Sequence, residues 1–251
     1  DVKTLDMMLG ALNCPFGTGH MGVTAENVAA EHRISRADQD AFALESQRRA
    51  GVAINEGRFK SQIVPVEVRV KRDMVAFDTD EHPKATTPEA LAGLKTVFQK
   101  DGTVTAGNAS GINDGAAALV LARASAAEAA GLKPRARILG YAHAGVRPQV
   151  MGIGPVPAVE MLLKRIGLEA SDFDVIESNE AFAASIPMAA RLRLAIRLGQ
   201  PGRSSRSRRS MNWSGPEASG PSSQCALVVV RGLPWLSSGS ESIFSVALTA
   251  C

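Results

Sequence analysis

Hydrophobic and polar positions follow one rhythm in the first hundred residues of this chain and another after them. Met7-Met-Leu-Gly-Ala-Leu12 is an apolar start, and Pro15, Gly17 and Gly19 then mark a turn-rich loop. Thr24 is placed to cap a short helix running to His32, and Ser35 with Asp38 three residues later forms a capping-box pattern for a second helix. That second helix carries Phe42, Ala50, Ala53 and Ile54 toward one side and ends at Gly57. Val64, Val66, Val68 and Val70 alternate with Pro65, Glu67 and Arg69, which predicts a half-buried strand at a sheet edge, where a proline is tolerated. Thr87-Pro88 reads as an N-cap followed by proline at the first helical position, with Leu91, Leu94 and Phe98 at helical spacing behind it.

The second rhythm begins after residue 110. Ala116 to Ala122 has no polar residue, as expected of a strand covered on both faces. An Ala-rich helix ending at Gly131, a strand near Arg137 to Tyr141, a helix from about Pro157 to Ile166 and a strand at Phe173 to Glu177 follow. Strand, helix, strand, helix, strand predicts a layered α/β sheet.

Composition narrows the function classes. A chain of 251 residues forms one large or two modest domains with a real core. It holds no apolar run of membrane-spanning length and no signal-peptide pattern at its start, so a soluble, cytoplasmic protein with no membrane partner is expected. The first residue is Asp1 and not Met, which leads us to expect a truncated or processed product. The net charge of +3 invites a nucleic-acid partner, but residues 185–251 hold eight Arg, two Glu and no Lys or Asp, leaving residues 1–184 at −3. The Arg203 to Arg209 cluster has no interleaved aromatics, so a solvated tail and no nucleic-acid partner is the better reading. Cys14, Cys225 and Cys251 have neither metal-ligand spacing nor an even disulfide framework, and no metal is expected.

The most informative stretch is Gly102-Thr-Val-Thr-Ala-Gly-Asn-Ala-Ser-Gly-Ile-Asn-Asp-Gly115, a turn rich in Gly and Asn that runs directly into the apolar segment. Small residues before a buried strand allow a ligand to lie against backbone, and Ser110 adds a hydroxyl. Physical reading stops there, at a binding loop or a plain tight turn. The string itself resembles the Gly-Asn-Ala-Ser-Gly-x-Asn-Asp-Gly-Ala signature of the thiolases, the acetyl-CoA acetyltransferase family. Three further stretches resemble the same family in the same order: His20-Met-Gly-Val-Thr-Ala-Glu-Asn-Val-Ala29, Val150-Met-Gly-Ile-Gly-Pro-Val-Pro-Ala158 and Asp174-Val-Ile-Glu-Ser-Asn-Glu-Ala-Phe-Ala-Ala184.

The resemblance implies a partial, layered thiolase-like α/β fold. Residues 1–110 would be the loop domain that faces coenzyme A, 111–133 the end of the N-terminal half, and 134–184 the start of the C-terminal half. It implies no permanently bound cofactor, acyl-CoA as substrate, and a homo-oligomer, dimer or tetramer, in the intact family. Asn179 would hold the water of an oxyanion hole. His20 and Met21 would border the pantetheine and acyl pocket, with Met151 and Phe182 beside the reacting group. Phe98, Ala106 and Ser110 would lie along the coenzyme, and Lys84 stands where an arginine often meets its phosphate. The nucleophilic cysteine of the family would precede Asp1. Cys14 does not replace it, being a small loop cysteine with no neighbour in sequence to lower its pKa.

From Ser185 the resemblance lapses into Arg- and Ser-rich text, although Leu198-Gly-Gln-Pro201 resembles Leu-Gly-His-Pro with Gln200 in place of His. Reading permitted codons for Gln224 to Trp235 from each third base gives Met-Cys-Val-Gly-Gly-Gly-Gln-Gly-Leu-Ala-Met, which resembles the missing cysteine motif. The same shift applied to Met211 to Ala218 permits a helix-and-turn sequence. Residues 185–251 are therefore expected to be wholly or partly a frameshifted tail, poorly ordered, and the chain is expected to lack thiolase turnover. A non-catalytic CoA-binding or partner-interaction fragment is the alternative.

Overall fold

A computed structural model describes residues 4, 6–134, 136–173, 175–185, 223–231 and 244–249. Helix α1 (Met7–Ala11) leads into the short strands β1 (Asn13–Cys14) and β2 (Gly19–His20), which pair antiparallel. Helix α2 (Met21–His32) starts where that hairpin ends. Its N-cap is His20, whose Nδ1 accepts from the Gly22 amide at 3.0 Å, and not Thr24, which lies inside the helix and donates to the Met21 carbonyl. The β1–β2 pairing brings the chain into helical geometry one turn earlier than the preference for a hydroxyl cap predicts.

Helix α3 (Arg36–Asn55) opens with the expected capping box of Ser35 and Asp38, and Gly57 follows it with φ 67. Its buried positions are Gln39, Asp40 and Ala43, while the predicted apolar side of Phe42, Ala50, Ala53 and Ile54 is half-buried. The helix turns polar groups inward because its neighbour is a loop with backbone amides and side-chain amides to satisfy. Strand β3 (Val66–Val70) pairs with β4 (Asp73–Phe77) as an isolated antiparallel hairpin, with only Val68 half-buried. The predicted alternation is present, but among the described residues no layer covers its apolar face. Helix α4 (Pro88–Ala92) has the Thr87 cap and the first-turn proline, yet it stops at Gly93, so Leu94 and Phe98 lie beyond it.

The segment 111–123 contains no helix or strand, and every residue from 111 to 126 is exposed. Leu119, Val120 and Leu121 are 88%, 91% and 75% exposed, which overturns the expectation of a strand buried on both faces at 116–122. A strand is held by a ladder, and each described strand pairs elsewhere. Among the described residues the apolar run therefore has neither a strand partner nor a covering layer.

Helix α5 (Ala124–Ala129) follows, with Gly131 at φ 65 just beyond its end. Strand β5 (Arg137–Val146) is twice as long as predicted and buries Ala142, Ala144 and Val146 on one face. A 3-10 segment, Pro148–Ile153, connects it to α6 (Pro155–Ile166), which ends at Gly167 with φ 69. Ala158, Val159 and Leu162 of α6 pack on Ala142 and Ala144 to form one core. Strands β6 (Val175–Ser178), β7 (Ser223–Arg231) and β8 (Phe244–Thr249) complete a four-stranded sheet in the order β5-β7-β8-β6. The β5–β7 and β7–β8 pairs are antiparallel and β6–β8 is parallel. The rest of the 185–251 tail, including the Arg203 to Arg209 cluster, Leu198 to Pro201 and Cys251, lies outside the described residues.

A second core joins segments far apart in sequence: Ala25, Val28 and Ala29 of α2, Ile34, Val104, Val150 and Ala184. Each of the four motifs contributes to it or packs on it, with Phe98, Ala109 and Phe182 at its border.

Candidate functional site

The Gly-Asn loop is fixed from below before it meets anything else. Buried Glu26, on α2, accepts from the amides of Thr103 and Val104 and from the Thr103 hydroxyl, all at 2.8 Å. Gly102 permits this approach, because a Cβ there would sit 2.2 Å from the Glu26 carboxylate. Asn108 is also buried. Its Oδ1 accepts from the Thr105 amide at 2.8 Å, and its Nδ2 donates to Asp40 Oδ1 at 2.9 Å and to the Thr103 carbonyl at 3.1 Å. Every hydrogen-bonding group of that side chain is engaged, which makes the loop a rigid shelf.

The shelf is cross-linked to the segment after β6. The Ser110 amide donates to the Ala181 carbonyl and the Ala183 amide donates to the Asn108 carbonyl, both at 2.9 Å, with Ala109 and Phe182 bridged between them. Two motifs more than seventy residues apart thereby become neighbours through backbone alone. Two adjoining groups of side chains result.

The first is an aromatic row. The His20 ring stacks on Phe98 with centroids 4.7 Å apart and planes 21° from parallel, and Phe98 meets Phe182 edge-on at 6.1 Å. Because Nδ1 of His20 accepts the Gly22 amide, the neutral ring carries its proton on Nε2 and presents a donor there. Gly22 leaves room for the row, since a Cβ at that position would lie 2.2 Å from the Phe98 ring. Met21 follows His20 in α2, half-buried, its amide bonded to the Leu12 carbonyl at 2.8 Å. Met151 is half-buried in the 3-10 segment, which is fastened to α2 by Asn27 Nδ2 on the Gln149 carbonyl at 2.9 Å and by Val150 in the shared core.

The second group lines a cleft of about 240 Å³ in which Ser110 and Asn179 both take part. Its other polar walls include Ser46, Gln47, His82 and Glu180, over a floor that includes Phe42 and Ala43. Ala106 is exposed at the turn above the shelf and lines neither group. Lys84 is exposed, its amide donating to Gln47 Oε1 at 2.8 Å. The Glu177 carboxyl lies above its ordinary value, first because it is partly desolvated although the residue as a whole is exposed, and then because Glu180 is of like charge. Of the expected site residues, the fold thus gathers His20, Phe98 and Phe182 in the row, and Ser110 and Asn179 in the cleft. Glu26, Asp40, Asn108 and His82 are additions that sequence reasoning missed.

Cys14 is buried in β1, as expected for a small loop cysteine. Its thiol nevertheless lies below its ordinary value: burial pushes it up, but hydrogen bonds from the Thr18 side chain and from the backbone at Phe16 and Thr18 together outweigh that push. The sequence neighbours therefore do act on this thiol, contrary to expectation. Among the described residues no cluster of three or more His, Cys, Asp or Glu side chains has metal-binding geometry, and no helix is long and apolar enough to cross a membrane.

The chain is 59% identical over 186 residues to a beta-ketothiolase of Cupriavidus necator, covering 73% of this chain and 47% of that protein. It is 55% identical over 186 residues to an acetyl-CoA acetyltransferase of Escherichia coli, again covering 73% and 47%. Among solved structures, Bacillus anthracis acetyl-CoA acetyltransferase superposes with a TM-score of 0.73 at 46% identity, over 77% of this chain and 50% of that one. Human mitochondrial 3-ketoacyl-CoA thiolase in complex with CoA gives 0.72 at 43% identity, over 78% and 49%. The chain thus spans about half the length of the relatives it matches. The model of the thiolase N-terminal domain matches residues 1–125, and that of the C-terminal domain matches 132–200, past the Ser185 at which the motifs lapse. With both models matched in order and the four motifs gathered around one core, the chain belongs to the thiolase family.

Proposed function

We propose that this chain is the coenzyme-A-facing part of an acyl-CoA acyltransferase that makes or cleaves 3-oxoacyl-CoA by Claisen chemistry, as in the conversion of two acetyl-CoA to acetoacetyl-CoA and CoA. The observation that carries the reading is the pairing of the Gly-Asn loop with the Asn179–Phe182 segment, which sets Ser110 and Asn179 on one cleft beside the His20–Phe98–Phe182 row. Support comes also from the CoA complex among the similar structures.

The chemistry suits a thioester, whose carbonyl is poorly stabilised by resonance, so that its α-proton is acidic. A cysteine thiolate accepts the acyl group, a second thiol moves the α-proton, and an oxyanion hole holds the enolate oxygen. On this reading Asn179 orients the water of that hole, and His20, Phe98 and Ser110 hold the pantetheine arm. Met21, Ala106, Met151 and Phe182 shape the walls around it. The working assembly is a homo-oligomer, which sedimentation would reveal.

Residues 1–251 alone are proposed to bind CoA without turnover. Cys14 is buried in β1, Gln200 stands in place of the family histidine, and the second cysteine of the family belongs to the stretch read as a shifted frame. Calorimetric titration with CoA should give saturable binding, and a thiolysis assay on acetoacetyl-CoA should give no rate above background. Absence of binding would sink the CoA reading, and normal thiolysis would sink the claim of inactivity.

A further inference from the structure

Helix α3 touches both halves of the candidate site with one face. Gln39, Asp40, Ala43, Ser46 and Gln47 recur at spacings of three and four, so they lie along a single stripe. Gln39 Nε2 donates to the Thr103 hydroxyl at 2.9 Å. Asp40 takes the Asn108 amide on Oδ1 at 2.9 Å and the Arg36 guanidinium on Oδ2 at 2.7 Å. One turn and a half further on, roughly 9 Å along the axis, the Ser46 hydroxyl donates to Glu180 Oε2. Arg36 is itself anchored on the carbonyls of Leu91 and Leu94, at 2.7 and 3.1 Å. The inner end of the stripe is buried, with Gln39 at 1% and Asp40 at 9% exposure, and the outer end opens on the cleft.

We propose that Asp40 and Ser46 are positioning residues of this site: α3 is a strut that grips the Gly-Asn loop through Asn108 at one end and the Asn179–Phe182 segment through Glu180 at the other, and so sets the gap between Ser110 and Asn179. The proposal rests on the CoA reading for its functional consequence. Asp40 works through Asn108, whose carbonyl receives the Ala183 amide, so a displaced Asn108 strains the link between the two segments. A carboxylate is needed at position 40 to answer Arg36. An amide there keeps an acceptor for Asn108, but it gives up the ion pair and turns an N–H donor toward Arg36.

The test is calorimetric titration of CoA into the full chain and its variants, with amide hydrogen exchange read on the same samples. Asp40→Ala should weaken CoA binding about tenfold, through loss of the charge-assisted hydrogen bond that holds Asn108, while Asp40→Asn should stay within about threefold. Ser46→Ala should weaken it about threefold. In Asp40→Ala the amides of Thr105, Ser110 and Ala183 should lose protection while those of β5 keep theirs. Unchanged affinity in Asp40→Ala or Ser46→Ala, or Asp40→Asn as damaging as Asp40→Ala, would overturn the strut. If the unaltered chain does not bind CoA, the functional reading fails on its own. The strut is then decided by exchange alone, and unchanged protection at Ser110 and Ala183 overturns it. If Asp40→Ala does not fold, Asp40→Asn and Ser46→Ala carry the same test by affinity and by protection at Ser110 and Ala183.

Discussion

Residues 102–110 and 111–122 are consecutive and begin from the same small-residue composition, yet they end in opposite states. In the first, Val104, Thr105 and Asn108 are buried, and Glu26, Asp40 and the Asn179–Phe182 segment bind its backbone and side chains. In the second, the large apolar side chains Ile112, Leu119, Val120 and Leu121 are all exposed. Local sequence states what a segment needs to bury or bond. Whether that need is met depends on partners supplied from elsewhere, and here Glu26 and Asp40 supply them for the loop while no described strand supplies them for the apolar run.

The strongest way to break this contrast is to remove a partner. Glu26→Ala leaves the part-buried Thr103 amide and the buried Val104 amide without an acceptor, and a buried orphan costs roughly 1–3 kcal/mol. A loss of about 3 kcal/mol is expected by urea unfolding followed by circular dichroism, a large share of the stability of an ordinary domain. Leu119→Ala should change stability by less than about 0.5 kcal/mol, because an exposed side chain gives up no packing. Equal losses in the two variants would end the comparison.

Next in size is the aromatic row. Gly22→Ala places a methyl group against the Phe98 ring, and overpacking of this kind costs about 1–3 kcal/mol. Phe98 would be driven from its stack on His20, so CoA titration should show a weaker complex as well as a lower unfolding midpoint. A lower midpoint with full CoA affinity would mean that the row is structural and takes no part in binding.

How much of this was legible beforehand follows the same division. The Ser35–Asp38 capping box was legible because all its parts lie within four residues. Thr24 has the side chain of a cap but not the place of one, because the hairpin that starts α2 early is formed by residues 13–20, outside any local window around Thr24. Phe98 fell on a helical period with Leu91 and Leu94, but Gly93 ends the helix and its true partner is His20, far upstream. The polar face of α3 was illegible to any rule that looks for apolar stripes, since its partners are loop amides. Site residues came from motif resemblance. The backbone cross-links that bring Ser110 and Asn179 together left no trace in residue type, because any sequence carries the same amides and carbonyls.

A smaller effect sharpens the other side of the contrast. Exposed apolar runs without charge favour association, and 116–122 is such a run. Val120→Lys should leave unfolding within about 0.5 kcal/mol of the parent while raising the concentration at which light scattering appears. If scattering is unchanged, the exposed run is not what limits solubility.

The smallest effect comes from charges that have partners but sit in water. On the outer side of α3, Glu45 pairs with Arg48 and Arg49, whose hydrogen bonds hold its carboxyl down to about 2 from an ordinary 4.5. A carboxylate whose folded pKa is depressed stabilises the fold above its unfolded value and loses that contribution as the pH falls through the folded value. The stabilisation is therefore complete above 4.5 and disappears toward about 2. Screening keeps it small, so Glu45→Gln should lower the melting temperature slightly at neutral pH and low salt, and not at all in about 1 M salt. Asp40, one turn earlier and turned inward to Arg36 and Asn108, should keep its effect under the same salt. If the Glu45 difference survives high salt, or the Asp40 difference does not, then a partner by itself is not enough to explain which groups hold this fold, and burial of the pair has been given the wrong weight.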